Sequence, residues 1–251
     1  MDMNITRTFI FTLLPLMGIM GISQAAVIAD FEGGSPLSGW EDGNGWNTTT
    51  DPANASNTVL DTSGRSPNFN TGVALGSDIS GSATFSFDFR LTSSTAADLS
   101  LYLTDTDAGD FSSLVDTQSD HFGPTIRLVD SKIQIFDGAF EDISQSINTH
   151  TWYTISMDVN NTTDTWSGSI LGGSFVTPTA LTLTGGSDSE FDFRNSMSGD
   201  LTSLGFRANT NNNASSGGAY IDNITIIPEP SSMLLITTAL GTLCLFRRRR
   251  R

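Results

Sequence analysis

The sequence predicts an all-β body, an antiparallel β-sandwich of jelly-roll type, on three observations. Apolar residues recur with period two through most of the chain, the spacing of strands that bury one face. Gly, Ser, Thr, Asn and Asp abound while Glu is scarce, a composition suited to turns and poor in helix formers. Outside the two apolar termini, no stretch longer than about ten residues keeps a helical spacing. Many short strands in one domain of about 200 residues fit two stacked sheets.

The elements follow in order. Phe85, Phe87, Phe89 and Leu91 alternate with Ser86, Asp88 and Arg90, and Leu99, Leu101 and Leu103 continue the pattern. Ile126-Leu128 and Ile133-Ile135 flank Asp130-Ser131, which predicts a short hairpin. Tyr153, Ile155, Met157 and Val159 alternate next, and Asn160–Asp164 turns the chain into Trp166–Leu171. Leu181-Leu183, Leu204-Phe206 and Tyr220–Ile226 predict further strands. Residues 41–72 hold Gly, Asn, Thr, Asp and Pro with little periodicity and read as long surface loops carrying Trp40 and Trp46.

The ends of the chain read as targeting segments. Arg7 precedes an apolar run from Phe9 to Ile22, and Ser23-Gln24-Ala25 places small residues where a signal peptidase cuts. The expected division is 1–25 signal peptide, 26–227 jelly-roll domain and 228–251 tail. In that tail Pro228-Glu229-Pro230 precedes the apolar span Ser231–Phe246, about 24 Å long as a helix. Arg247, Arg248, Arg249, Arg250 and Arg251 follow, a cluster that stays on the cytoplasmic side of a membrane. These three parts in this order resemble the tail of the PEP-CTERM family of bacterial exported proteins. The resemblance implies an exosortase-type membrane protease as partner, a transient membrane anchor, and delivery to the cell surface or its exopolysaccharide.

Charge narrows the ligand classes. Residues 26–227 hold six basic side chains against 25 acidic ones, a balance of −19 with no basic stripe, which argues against nucleic acid. The single cysteine, Cys244, lies in the tail, so the body has no disulfide, and divalent cations are a plausible substitute.

Two stretches carry a second resemblance. Thr151–Val159 with Asn161–Asp164 and Ser169–Gly173, preceded by Lys132–Gly138, resemble the concanavalin A-like lectin/glucanase superfamily. That implies a two-sheet jelly roll with carbohydrate or protein ligands. Asp30-Phe31-Glu32-Gly33 at the start and Ala219–Ile224 at the end resemble carbohydrate-binding jelly rolls whose first and last strands lie side by side. There, such acids hold a structural calcium; carried over, the ligands are Glu32 and Asp222, with Asp30 as the alternative. Asp105–Asp110 is a weaker candidate loop, without the distant Glu of an EF-hand.

Catalytic signals are missing from the pattern. Superfamily glucanases place Glu-x-Asp-x-(x)-Glu on one strand; Glu190 and Asp192 begin such a spacing, but Asn195 and Ser196 stand where the second Glu belongs. His121 and His150 have no triad or zinc motif around them. For sugar stacking, Trp40 and Trp46 are the candidates, while Trp152 and Trp166 read as core or sheet-face residues. The expectation is a non-catalytic, polysaccharide-binding surface protein; the alternatives are a divergent secreted glycoside hydrolase and a matrix protein without a defined ligand.

Overall fold

The computed structural model describes residues 25–41, 47–63, 69–93, 98–107, 121–208 and 218–228. The signal segment, Trp46, Glu229, Pro230 and the arginine tail lie outside the described residues; Pro228 closes the last strand.

Period-two patterning builds two sheets. The first orders β13 (Phe175–Ala180), β12 (Thr165–Gly172), β11 (Trp152–Asn160), β6 (Ser82–Leu91), β16 (Ala219–Pro228), β4 (Asn54–Asp61) and β3 (Asn47–Asp51). Two short strands join it, β1 (Ala26–Ala29) beside β16 and β14 (Glu190–Asp192) beside β12. The second orders β10 (Ala139–Asp142), β9 (Lys132–Asp137), β8 (Thr125–Val129), β7 (Asp98–Thr104), β15 (Leu201–Ala208), β5 (Phe69–Ile79) and β2 (Trp40–Glu41). Neighbouring strands run antiparallel, and β1 lies against β16, so the first and last strands are adjacent as expected.

The alternation places the core between the sheets. Phe85, Phe87 and Phe89 of β6 stand opposite Met157, Ile155 and Tyr153 of β11, all buried. Leu99, Leu101 and Leu103 meet Leu128, Ile126, Phe206 and Leu204 across the other sheet, and these are buried too. Each such side chain contributes about 1.5–3 kcal/mol by leaving water. The β8–β9 hairpin has the expected two-residue loop, with Asp130 at φ 53, a left-handed conformation that Asp tolerates.

Glycine is required where β12 ends. Gly172 has φ 109, and a Cβ there would lie 2.5 Å from the Trp152 carbonyl oxygen; at Gly173 it would lie 2.7 Å from the Tyr153 ring. The close approach lets the Trp152-Tyr153 end of β11 seat against the β12 terminus.

Two expectations are corrected. Residues 41–72 are not long loops throughout: β3 and β4 form a hairpin and β5 begins at Phe69. The hairpin sits at the sheet margin and delivers only Leu60 to the core between the sheets, so its Thr and Asn residues show no apolar period. Leu181–Leu183 is not a strand. Leu183 makes one isolated bridge to Ile143, and both leucines are buried as plugs rather than as a ladder.

Candidate functional site

The expected cation ligands both lie beside β4, near a break in β16. Tyr220 and Ile221 pair with Asp61 and Leu60 of β4; a register shift between Asp222 and Thr225 follows, with Asn223 at φ 49. Beyond that bulge β1 takes the place of β4 as neighbour, and Glu32 follows β1 by three residues. Consecutive residues of β4 hold both acids. Asn57 Nδ2 donates to Asp222 Oδ2 at 2.9 Å, and the Thr58 N–H donates to Glu32 Oε1 at 2.8 Å.

The Asp222 carboxylate also accepts the Asn223 N–H at 2.8 Å. Asp88, opposite Asp222 on β6, accepts from Asn223 Nδ2 at 2.8 Å and from Thr154 Oγ1 at 2.6 Å. Burial raises the Asp222 pKa; the amide donors lower it, and the nearby Asp88 and Glu32 charges raise it further. Asp222 is thus a buried carboxylate beside two like charges, with no cation among its described partners. The oxygen donors to a cation there would be Glu32, Asp222 and, after rotation of the amides, Asn57 and Asn223 Oδ1. Among the described residues no group of three or more His, Cys, Asp or Glu is arranged to hold a metal. Asp30, the alternative, accepts the Glu32 N–H in a local turn.

The other expected site residues are not brought together. Trp40 is buried, its ring 5.7 Å from Phe31 and 5.4 Å from Phe206. It fills space between the N-terminal segment and β15 and has no free face for a sugar, which corrects the expected exposure. Trp152 is half-buried on the outer face, its indole N–H on Asp51 Oδ2 at 3.1 Å, and Trp166 is core. Asp105 stands between His121 (3.3 Å) and Ser198 (3.5 Å), so the histidine does not face the serine as a triad requires.

A different constellation lies on the outer face of the seven-stranded sheet. Asp98, Ser100, Tyr102 and Thr104 alternate with the core leucines of β7, pointing away from the core, and yet all four are buried. One row runs straight across five strands as Arg207, Ser100, Arg127, Gln134 and Asp142. Arg127 grips Asp98 with two bonds, Nε to Oδ1 at 2.7 Å and Nη2 to Oδ2 at 2.8 Å, which raises its pKa. Lys132 pairs with Asp142, which also accepts Gln134 Nε2 at 2.9 Å. Burial lowers the Arg207 pKa, while Tyr102 and Asp98 act in the opposite sense. Burial pushes the Tyr102 phenol up.

Aromatic rings frame the row. Phe122 stacks on Tyr102 at 3.8 Å, and Phe136 and Phe140 meet edge to face at 5.3 Å. The Arg194 guanidinium lies 5.3 Å from the Phe122 and Phe136 centroids and 5.5 Å from Phe140; Arg127 lies 5.3 Å from Phe140. Gln134 Oε1 and Glu41 Oε2 are buried with no hydrogen-bond donor among the described residues. Sequence reasoning missed these residues; the one available signal was Phe136 falling in phase with Gln134 on the polar side of β9.

Two sheets in this arrangement match solved lectins over nearly the whole body. Lectin I-B4 from Griffonia simplicifolia, in its metal-free form, aligns with a TM-score of 0.51 at 10% identity, over 81% of this chain and 98% of that one. The body has a lectin-like fold. Lectin UEA-II complexed with galactose gives 0.51 at 10% identity, over 82% and 98%. A sialidase gives 0.50 at 9% identity; the chain covers 83% of its own length there but 19% of the sialidase. No protein-family description and no curated protein sequence matches the chain.

Proposed function

We propose that the lectin-like body is a non-catalytic carbohydrate-binding module of an exported surface protein, its ligand seated on the outer face of the seven-stranded sheet. The observation that carries this reading is the row Arg207–Ser100–Arg127–Gln134–Asp142, polar and flanked by Phe136 and Phe140, on a face a plain sandwich would leave to solvated side chains. Sugars are bound by such a mixture: fixed donors and acceptors for the hydroxyls, and ring faces for the apolar side of the pyranose. The galactose complex of one lectin-like neighbour supports the ligand class by fold analogy alone.

Absence of catalysis is part of the proposal. A glycosidase acid needs a carboxyl held protonated by its surroundings. Asp142 is shifted the other way, lowered by its bonds to Lys132 and Gln134, and Asp98 is occupied by both Arg127 nitrogens. Calcium at Glu32 and Asp222 would neutralise the acids at the β16 bulge and tie β4 to the first and last strands.

Delivery follows the terminal motifs. Signal peptidase removes the N-terminal segment, an exosortase-type protease acts near Pro228-Glu229-Pro230, and the body reaches the cell surface or its polysaccharide. A glycan-array screen of the full-length protein with a product assay on each hit tests the binding reading. Saturable binding without cleavage is expected; released oligosaccharide would establish a hydrolase instead, and no saturable binding a matrix protein without a ligand.

A further inference from the structure

We propose that the ligand of this face is an anionic polysaccharide, one whose sugars carry carboxylates, and that Arg127 and Arg194 hold it beside Phe140. The proposal rests on the carbohydrate reading above and specifies its chemical class. Three observations carry it.

Cations are rare in the body and gather here. Of the six basic residues against 25 acidic ones between residues 26 and 227, Arg127, Lys132, Arg194 and Arg207 stand on this face or at its rim. Arg65 lies outside the described residues, and Arg90 belongs to the other sheet, paired with Asp51. In a body of charge −19 this is the face on which cations gather among the described residues, with Asp98 and Asp142 offsetting Arg127 and Lys132.

Two guanidinium groups converge on one ring. Arg127 and Arg194 lie 5.3 and 5.5 Å from the Phe140 centroid, from β8 and from the segment after β14. A carboxylate seated beside that ring would meet planar, charged N–H donors, a charge-assisted contact that a neutral hydroxyl does not make. Guanidinium is also the donor shaped for a carboxylate, presenting paired N–H groups in one plane. Arg127 spends Nε and Nη2 on Asp98, and its Nη1 has no partner among the described residues; its side chain is 23% exposed.

The third observation is an acceptor awaiting a donor. Gln134, next to Arg127 in the row, has Oε1 buried and unmatched among the described residues, while its Nε2 is held by Asp142. A sugar hydroxyl donates to such an oxygen, so a carboxylate on Arg127 and a hydroxyl on Gln134 together describe an acidic sugar unit, with Phe136 and Phe140 as its apolar wall.

The test compares oligogalacturonate and hyaluronate oligosaccharides with the same chains after their carboxyl groups are reduced to alcohols, titrated into the full-length protein by calorimetry. Polyglutamate serves as a charge-only control. Acidic chains should bind at least about tenfold tighter than their reduced forms, and roughly tenfold weaker when salt rises from about 50 to about 300 mM. Arg127→Gln or Arg194→Gln should bring the acidic chain down to the level of the reduced one. Equal affinity for acidic and reduced chains would leave the carbohydrate reading standing and overturn the anionic one. Binding of neither on any glycan tested would remove both, and polyglutamate binding as tightly would show attraction to any polyanion. The wild-type comparison of acidic with reduced chains stands even where a variant fails to fold.

Discussion

Asp51 is the side chain whose loss the structure marks as costly. It ends β3, at the margin of the nine-stranded sheet, yet its carboxylate reaches the outer side of β6 and β11. Arg90 Nη1 donates to Oδ1 at 2.7 Å, Trp152 Nε1 to Oδ2 at 3.1 Å, and the Ala53 N–H to Oδ1 at 2.9 Å. The paired side chains are 11% and 3% exposed, and Arg90 Nε is buried with no acceptor among the described residues, so the guanidinium depends on Asp51 for compensation. Asp51→Ala should strand that charge, a loss of about 3–5 kcal/mol, with about 1 kcal/mol more for the indole bond. The double variant Asp51→Leu, Arg90→Met removes both charges and should recover most of the loss, ending within about 1–2 kcal/mol of wild type. Urea unfolding followed by tryptophan fluorescence measures all of these states. If Asp51→Ala costs less than about 1 kcal/mol, or the double variant is as unstable as the single one, the pair is solvated and the reasoning from its burial is wrong.

Gly172→Ala should lose more than about 2 kcal/mol, since its φ of 109 and a Cβ 2.5 Å from the Trp152 oxygen leave no relaxed conformation; a melting temperature within a degree or so of wild type would contradict this. At Asp222, a folded pKa raised first by burial means that the folded state binds the proton more tightly than the unfolded one. Stability therefore falls as pH rises from about 4, the ordinary value of Asp, through the raised value, and stays reduced above it. Asp222→Asn should flatten that limb in thermal melts between pH 4 and 8, and an unchanged limb would assign it to another group. Calcium should raise the melting temperature of wild type at pH 7 and have less effect on Asp222→Asn; no rise in wild type would end the cation proposal. For the tail, mass spectrometry of protein from the outer fraction of native cells should show a chain ending near residues 227–230, and recovery of intact Arg247–Arg251 there would count against sorting.

Much of the fold was legible because strand periodicity is local. Phe85-Phe87-Phe89 and Tyr153-Ile155-Met157-Val159 declare both their conformation and the face they bury. The margins were less legible: β3 and β4 consist mainly of Thr and Asn, whose strands are imposed by pairing with each other and, for β4, with β16, rather than by a buried face. Trp40 misled because β2 has only two residues, too few to show a period, so a core ring read as a loop ring.

The site divides in the same way. Glu32 and Asp222 were nominated from the ends of the domain, and β1–β16 pairing brings both beside β4, but their bonds to Asn57 and Thr58 depend on where the bulge falls. Arg127, Arg194, Gln134 and Phe140 come from separate turns of the chain, and no local spacing joins them.

The sequence by itself determined that the body is all-β and acidic, with few cations. It did so because side-chain alternation, apolar length and charge are properties of consecutive residues. Only the tertiary structure decided that Trp40 is core, that β5 pairs with β15, and that four scarce cations share one face. Backbone hydrogen bonds between strands are blind to side-chain identity, so the partner and register of each strand emerge only when both sheets close on a common core.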